Sequence, residues 1–537
     1  MNAIATTKTN PIGRWLPLLA GGAMLLAAST ARAAAPGITG PTFNLTARAA
    51  YISQPDGQMI YSWGYGCNGD PAGYAPSTIS GAFCNTMQIP GPTLIVTEGQ
   101  TVTVNLTNNL PTPAGNTSIL FPGFNVTTSN GVAGLMTQEA APGSTVTYTF
   151  TASSPGTRTY YSGTQGDLQV EMGLYGAIIV LPSAVPANCA AGLPATNPGA
   201  NATARANWGE SDYRLAAAAY DHPESCYDRE YMFQFSEMDP NIHSQAEAQV
   251  LAKGNCTAGS VGCSLDVPTE PYRPAYYLIN GRSMPDDMDG NYAVQYPHQP
   301  YNGNPHMHPG ELTLLRIIGQ GRWQHPFHEH ANHVRVLARD GNLILSQSDG
   351  RSLAGPLLFT TTTTPGQAMD GIFYYTGKGL NWDMYGHHPV DPLHPDPDGN
   401  ATLPCTPDAN GYNTGAPTAI NYFEWCQDHN KPLQVAPFGD VGAGGPATLP
   451  DPNIFTNGAW YSGSPYLGPD ATARAVGPTG TTPPSGTIAN SPSSEAGFAF
   501  MWHSHNEREI TTNNIFPGGM FMMMLVDSRE FVIDESN

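Results

Sequence analysis

Histidine is missing from the first 221 of the 537 residues; all 15 lie at or beyond His222. Any chemistry that rests on imidazole must therefore come from the C-terminal part of the chain. Charge is also scarce. Asp, Glu, Lys and Arg make up 12% of residues, and 42 acidic side chains against 21 basic ones give a formal net charge of −21. That balance argues against nucleic acid as a partner. After the N-terminal leader no stretch approaches 18 apolar residues, so no membrane span is expected in the mature chain. No Ser/His/Asp pattern, phosphate-cradling glycine loop or Walker-like motif stands out. No cysteine lies within 70 residues of His503, which bears on the metal chemistry below.

What is present reads as an exported, loop-rich β protein. Residues 1–33 have the form of a secretory signal: Lys8 and Arg14, an apolar run from Trp15 to Ala28, and Ala31-Arg32-Ala33 as a small-x-small cleavage site. The expected location is the periplasm, the extracellular space or the cell surface. Eight cysteines in an exported chain favour disulfides. Proximity suggests Cys67–Cys84, Cys189–Cys226, Cys256–Cys263 and Cys405–Cys426, although spacing alone leaves connectivity open. The 59 Gly and 50 Pro, spread among Val/Thr/Tyr runs, point to short strands. Alternating segments predict a β-sandwich domain over 40–182, a linker over 183–224 and a second β domain over 225–535. The second is interrupted from about 386 to 495 by a Pro/Gly/Asn/Asp-rich insertion.

Two histidine clusters dominate the second domain: His325-Pro-Phe-His328-Glu-His330-Ala-Asn-His333 and Trp502-His503-Ser504-His505. Residues i and i+2 of a strand share a face. His328 with His330, and His503 with His505, can each present two imidazoles to one side. Two such strands side by side make a four-imidazole site, a donor set that suits copper or zinc.

At this point the sequence resembles the multicopper oxidase family, whose domains are cupredoxin-type Greek-key sandwiches. Pro90-Gly-Pro-Thr93 with Glu98-Gly99 and Asn105 to Leu110 looks like the opening strand pair. Gly173 to Val180 looks like the close of the first domain, and Tyr277 to Gly281 like the start of a later one. The strongest match is His325-Pro-Phe-His-Glu-His330 paired with His503-Ser-His505. The resemblance implies an all-β fold of tandem cupredoxin-like sandwiches and copper as cofactor, with zinc as the alternative. It places His325 at a type 1 copper position and His328, His330, His503 and His505 around a trinuclear cluster. Two-domain members of the family commonly form homotrimers, so a homotrimer is an expectation here too.

The sequence departs from the family at the centre of the pattern. The type 1 cysteine is replaced by Ser504, the other type 1 histidine by Glu509, and the axial methionine by Asn514, with Met520 six residues too late. A hydroxyl cannot stand in for the soft thiolate of a blue site. The first domain reads Leu120-Phe-Pro-Gly-Phe-Asn125 and Tyr160-Tyr-Ser-Gly-Thr164 where its two His-x-His pairs are expected.

Several side chains carry both a functional and a bland reading. His325 is a less certain fifth ligand, and His333 is placed outside the site. Tyr160 and Tyr161 are candidate redox or ligand groups, or aromatics filling vacated space. By parity Glu507 falls on the imidazole face, whereas Glu329 falls on the opposite one, in solvent or a salt bridge. His306-Met-His308 is a second His-x-His that reads either as a secondary metal site or, more simply, as exposed loop histidines, and His387-His388 and His394 carry the same two readings. Met520 to Met524 invites a copper(I) reading, but alternate residues on a closing strand favour core packing. The function expected is a copper-dependent oxidoreductase without a blue centre, acting on a small molecule or metal ion. The alternatives are a non-catalytic copper-sequestering protein and a structural envelope protein on the same scaffold.

Overall fold

A computed structural model describes residues 35–76, 84–190, 212–254, 256–375, 406–409, 411–415, 463–467, 488–489, 496–527 and 533. The expected leader, most of the 386–495 insertion, His387, His388, His394 and the Cys405–Cys426 pairing lie outside the described residues.

The alternating segments form two sandwiches. In the first, one sheet orders Gly156–Tyr161, Tyr175–Leu181, Leu94–Thr97, Gly37–Thr39 and Tyr74–Ala75. The facing sheet orders Met59–Cys67, Thr42–Ser53, Thr101–Asn108, Thr145–Thr151 and Thr127–Ser129. The strands Leu94–Thr97 and Thr101–Asn108, adjacent in sequence across Glu98-Gly99, belong to different sheets. Gly99 has φ +84°, a conformation that suits glycine. Between the sheets Val102, Val104, Leu106, Val146, Tyr148 and Phe150 interdigitate with Leu94, Ile178 and Tyr160, as period-2 alternation requires.

The second sandwich pairs two larger sheets. One orders Tyr276–Ile279, Arg229–Met238, Leu312–Gly319, Ala368–Tyr374, Val334–Arg339 and Asn342–Leu343. The other orders His306–Met307, Phe521–Asp527, Ala496–Ser504, His325–Glu329 and Thr360–Thr363. Met520, Met522 and Met524 are buried with Phe327, Trp502 and Phe500 in its core, the packing expected of the methionine run. The fold is predominantly β with two sandwiches in tandem, as the sequence implied. The 14-residue helix Pro240–Lys253 was not anticipated. Its start is signalled locally: Asp239 accepts from Asn241 N–H as N-cap, and Pro240 opens the first turn.

Buried polar contacts join the sandwiches. Thr157 Oγ1 donates to Asp370 Oδ1 (2.6 Å), and Tyr220 Oη donates to Asp370 Oδ2 (2.5 Å). Arg316 Nη1 donates to Thr157 Oγ1 (3.0 Å) and Thr159 Oγ1 donates to Gln320 Oε1 (2.7 Å). Of the tract read as a linker, the described part is packed. Ala218, Ala219 and Tyr220 are buried, and Cys189 is bonded to Cys226. Cys67–Cys84 and Cys256–Cys263 also form as proximity suggested.

Candidate metal centre

The strand His325–Glu329 pairs antiparallel with Ala496–Ser504, placing His328 opposite His503, Phe327 opposite Ser504 and Glu329 opposite Trp502. This register sorts the side chains onto two faces. On one, His328, His330, His503 and His505 converge, with ring centroids 4.8 Å apart for His328–His330, 5.6 Å for His328–His503, 5.0 Å for His328–His505 and 5.1 Å for His330–His503. His328, His330 and His503 are buried, whereas the His505 side chain is 52% exposed. The cluster therefore opens to solvent on the His505 side.

Burial favours the neutral form of His328 and His503. Burial, then the neighbouring His503 and His505, push the His328 pKa down to about 4; burial also lowers that of His503. A neutral imidazole is the metal-competent form. His503 Nδ1 lies 2.7 Å from the Ser504 carbonyl oxygen, which makes Nδ1 the donor and Nε2 the nitrogen carrying the lone pair. His503 Nε2 lies 3.2 Å from His330 Nε2.

Copper, the metal the resemblance implies, can be tested against this arrangement. Two imidazole nitrogens each about 2.0 Å from one tetrahedral ion stand about 3.3 Å apart. The His330/His503 pair fits that spacing, and the all-imidazole donor set suits copper. Among the described residues, no group of three or more His, Cys, Asp or Glu side chains is already spaced to hold a metal ion. The fit rests on the His330/His503 pair, with His328 and His505 flanking it.

The opposite face holds a different assembly. His325, expected as a less certain ligand, is fully buried, with Nδ1 2.9 Å from Glu509 Oε2 and Nε2 2.9 Å from Glu237 Oε2. Burial alone would depress its pKa, but the hydrogen bonds and charges of Glu237 and Glu509 outweigh it, raising it to about 9. Doubly protonated and engaged at both nitrogens, His325 has no lone pair to offer a metal. Its odd offset from His328 sends it to the inner face, a parity argument the sequence allowed. Ser504 Oγ donates to Glu509 Oε2 (2.5 Å). The positions that the resemblance assigns to three type 1 ligands are thus joined to one another by hydrogen bonds. The axial position, Asn514, is exposed and accepts from Arg508.

Other expectations need correction. Glu329 does lie opposite the imidazoles, but it is buried rather than solvated. Thr361 Oγ1 donates to it (2.5 Å), and burial raises its pKa to about 8. His306 and His308 are buried, not exposed, with His306 Nδ1 2.7 Å from Asp527 Oδ2. Tyr160 is a core residue of the first sandwich, its hydroxyl donating to Pro92 O (2.7 Å), which fits the space-filling reading. Tyr161 is half-buried and pairs through its backbone with Leu120. Glu507 is exposed, 3.8 Å from His505 Nδ1. Sequence reasoning missed Glu237, which sits on another strand with no local motif to mark it.

A family model described as multicopper oxidase matches residues 76–185. Over that stretch the chain is similar to multicopper oxidases. Among curated relatives, an L-ascorbate oxidase of Brassica rapa is 40% identical over 96 residues, 17% of this chain and 16% of that protein. A laccase of Aspergillus fumigatus is 36% identical over 98 residues, 18% of this chain and 16% of that one. The matched stretch thus spans about a sixth of the length of these relatives. A blue copper oxidase from Nitrosomonas europaea superposes with a TM-score of 0.42 at 15% identity, over 90% of this chain and 85% of the other. The family match falls on the first sandwich, which contains no histidine. Among the described residues no helix is long and apolar enough to cross a membrane.

Proposed function

We propose that this chain is an exported, copper-binding oxidoreductase of the multicopper oxidase family whose copper is held by His328, His330, His503 and His505 without a blue centre. The observation that carries the reading is the His328–His503 register, which sets two His-x-His pairs side by side on one sheet face. Bound copper supplies one-electron chemistry and Lewis acidity. The protein's own contribution is to favour neutral His328 and His503 by burial, to fix the His503 tautomer through Ser504 O, and to leave the His505 edge open to a small substrate. Ser504 in place of cysteine removes the thiolate donor, and His325 is committed to two carboxylates. Three disulfides support an oxidising compartment.

Copper(II) titration of the purified protein against a competing chelator, followed by absorption spectroscopy, tests this. The expected result is copper binding with a weak visible band and no intense band from a copper–thiolate bond. No binding above a nonspecific background sinks the proposal. Copper binding without oxygen consumption, across phenols and reducing metal ions, would support a sequestering protein instead.

A further inference from the structure

We propose that Ser504, Glu509, His325 and Glu237 form a positioning network for the imidazole site, holding His503 in the tautomer and orientation that metal binding needs. The inference rests on the copper reading above. It starts from the two-faced register: His503 projects to the imidazole face, while Ser504, the next residue, projects to the inner one. The Ser504 carbonyl holds His503 Nδ1–H at 2.7 Å. The Ser504 side chain is in turn tied down from behind.

That tie is continuous. Ser504 Oγ donates to Glu509 Oε2, which also accepts from His325 Nδ1. Asn506 Nδ2 donates to Glu509 Oε1 at 2.9 Å, and Asn506 N–H donates to Ser504 Oγ at 3.2 Å. His325 Nε2 donates to Glu237 Oε2, while Glu237 Oε1 accepts from the Arg322 and Trp323 amides at 2.6 and 2.9 Å. Three separate elements converge: the strand Arg229–Met238, the strand His325–Glu329 that carries His328, and the turn after Ser504. The four side chains of the network are buried: Glu237 is 3% exposed and His325, Ser504 and Glu509 are each 0%. A buried chain of charge-assisted hydrogen bonds is rigid, and partners behind a ligand imidazole fix its tautomer and direction. Side chains at positions the family gives to one copper here serve the neighbouring imidazoles instead.

Ser504→Ala removes one oxygen atom and severs the tie while keeping the strand; Ser504→Thr restores a hydroxyl on a β-branched side chain suited to a strand. The full-length protein is compared in two ways. Nitrogen-15 NMR of metal-free protein reads the His503 tautomer, and chelator competition with electron paramagnetic resonance reads copper(II) affinity and geometry. Wild type should show His503 protonated at Nδ1, and Ser504→Ala a mixture of tautomers. Copper affinity should fall about tenfold in Ser504→Ala with altered hyperfine splitting, and Ser504→Thr should recover both. Wild-type tautomer, affinity and hyperfine splitting in Ser504→Ala overturn the positioning role while leaving the copper site standing. If wild type binds no copper, both readings fall together.

Discussion

His325→Ala is expected to lower unfolding stability by about 3–5 kcal/mol, read as a shift of the denaturant midpoint at unchanged slope. The imidazolium sits between Glu237 and Glu509 with contacts of 2.9 Å to each. Removing it leaves two carboxylates buried without their cation. That penalty differs in kind from the loss of a packed side chain. Replacing an entire buried ion pair by apolar groups can be neutral, whereas deleting one partner strands a charge. Accordingly His325→Ala combined with Glu237→Leu and Glu509→Leu should recover much of the loss. A midpoint within experimental error of wild type for His325→Ala contradicts the ion-pair account.

The second large effect is on pH. In the metal-free folded protein burial raises Glu171 and Glu329 to about 8, and the flanking carboxylates raise His325 to about 9. Each of these groups holds a proton in the native state that the unfolded chain gives up earlier, from about pH 4.5 for Glu and 6.5 for His. Where the native state binds more protons, stability falls as pH rises. His243 and His328, lowered to about 4, act oppositely between about pH 4 and 6.5. The two sets oppose each other below about pH 6.5. Above it, Glu171, Glu329 and His325 all act in one direction. Stability should fall from about pH 6.5 to about pH 9 by on the order of 5 kcal/mol. Thermal unfolding across that range checks this; a midpoint that rises toward pH 9 contradicts it.

Much of this architecture is legible in the sequence because the signal is local. Period-2 alternation marks Thr101–Asn108 and Thr145–Thr151, and two-residue spacing puts each histidine pair on one face. The same parity rule, carried three residues back, sends His325 inward. What it cannot supply is the partner there. Glu237 lies 88 residues upstream on another strand, and only folding brings it to His325. The burial of His306 and His308 is similarly nonlocal, since Asp527 lies 221 residues from His306. Glu329 shows the opposite lesson. Its face was readable, but whether that face meets solvent or core depends on the packing of Trp502 and Phe327 against the other sheet. The helix Pro240–Lys253 carried readable start signals in Asp239 and Pro240, which the dense β patterning on either side masked.

The central claim is that the two His-x-His pairs form one copper site. It is tested most directly by metal analysis and electron paramagnetic resonance of purified wild type beside a His328→Ala/His503→Ala variant, both loaded with copper and desalted. The account predicts copper with a non-blue spectrum in wild type and its loss from the variant. Equal copper content and an identical spectrum in the two proteins would contradict it.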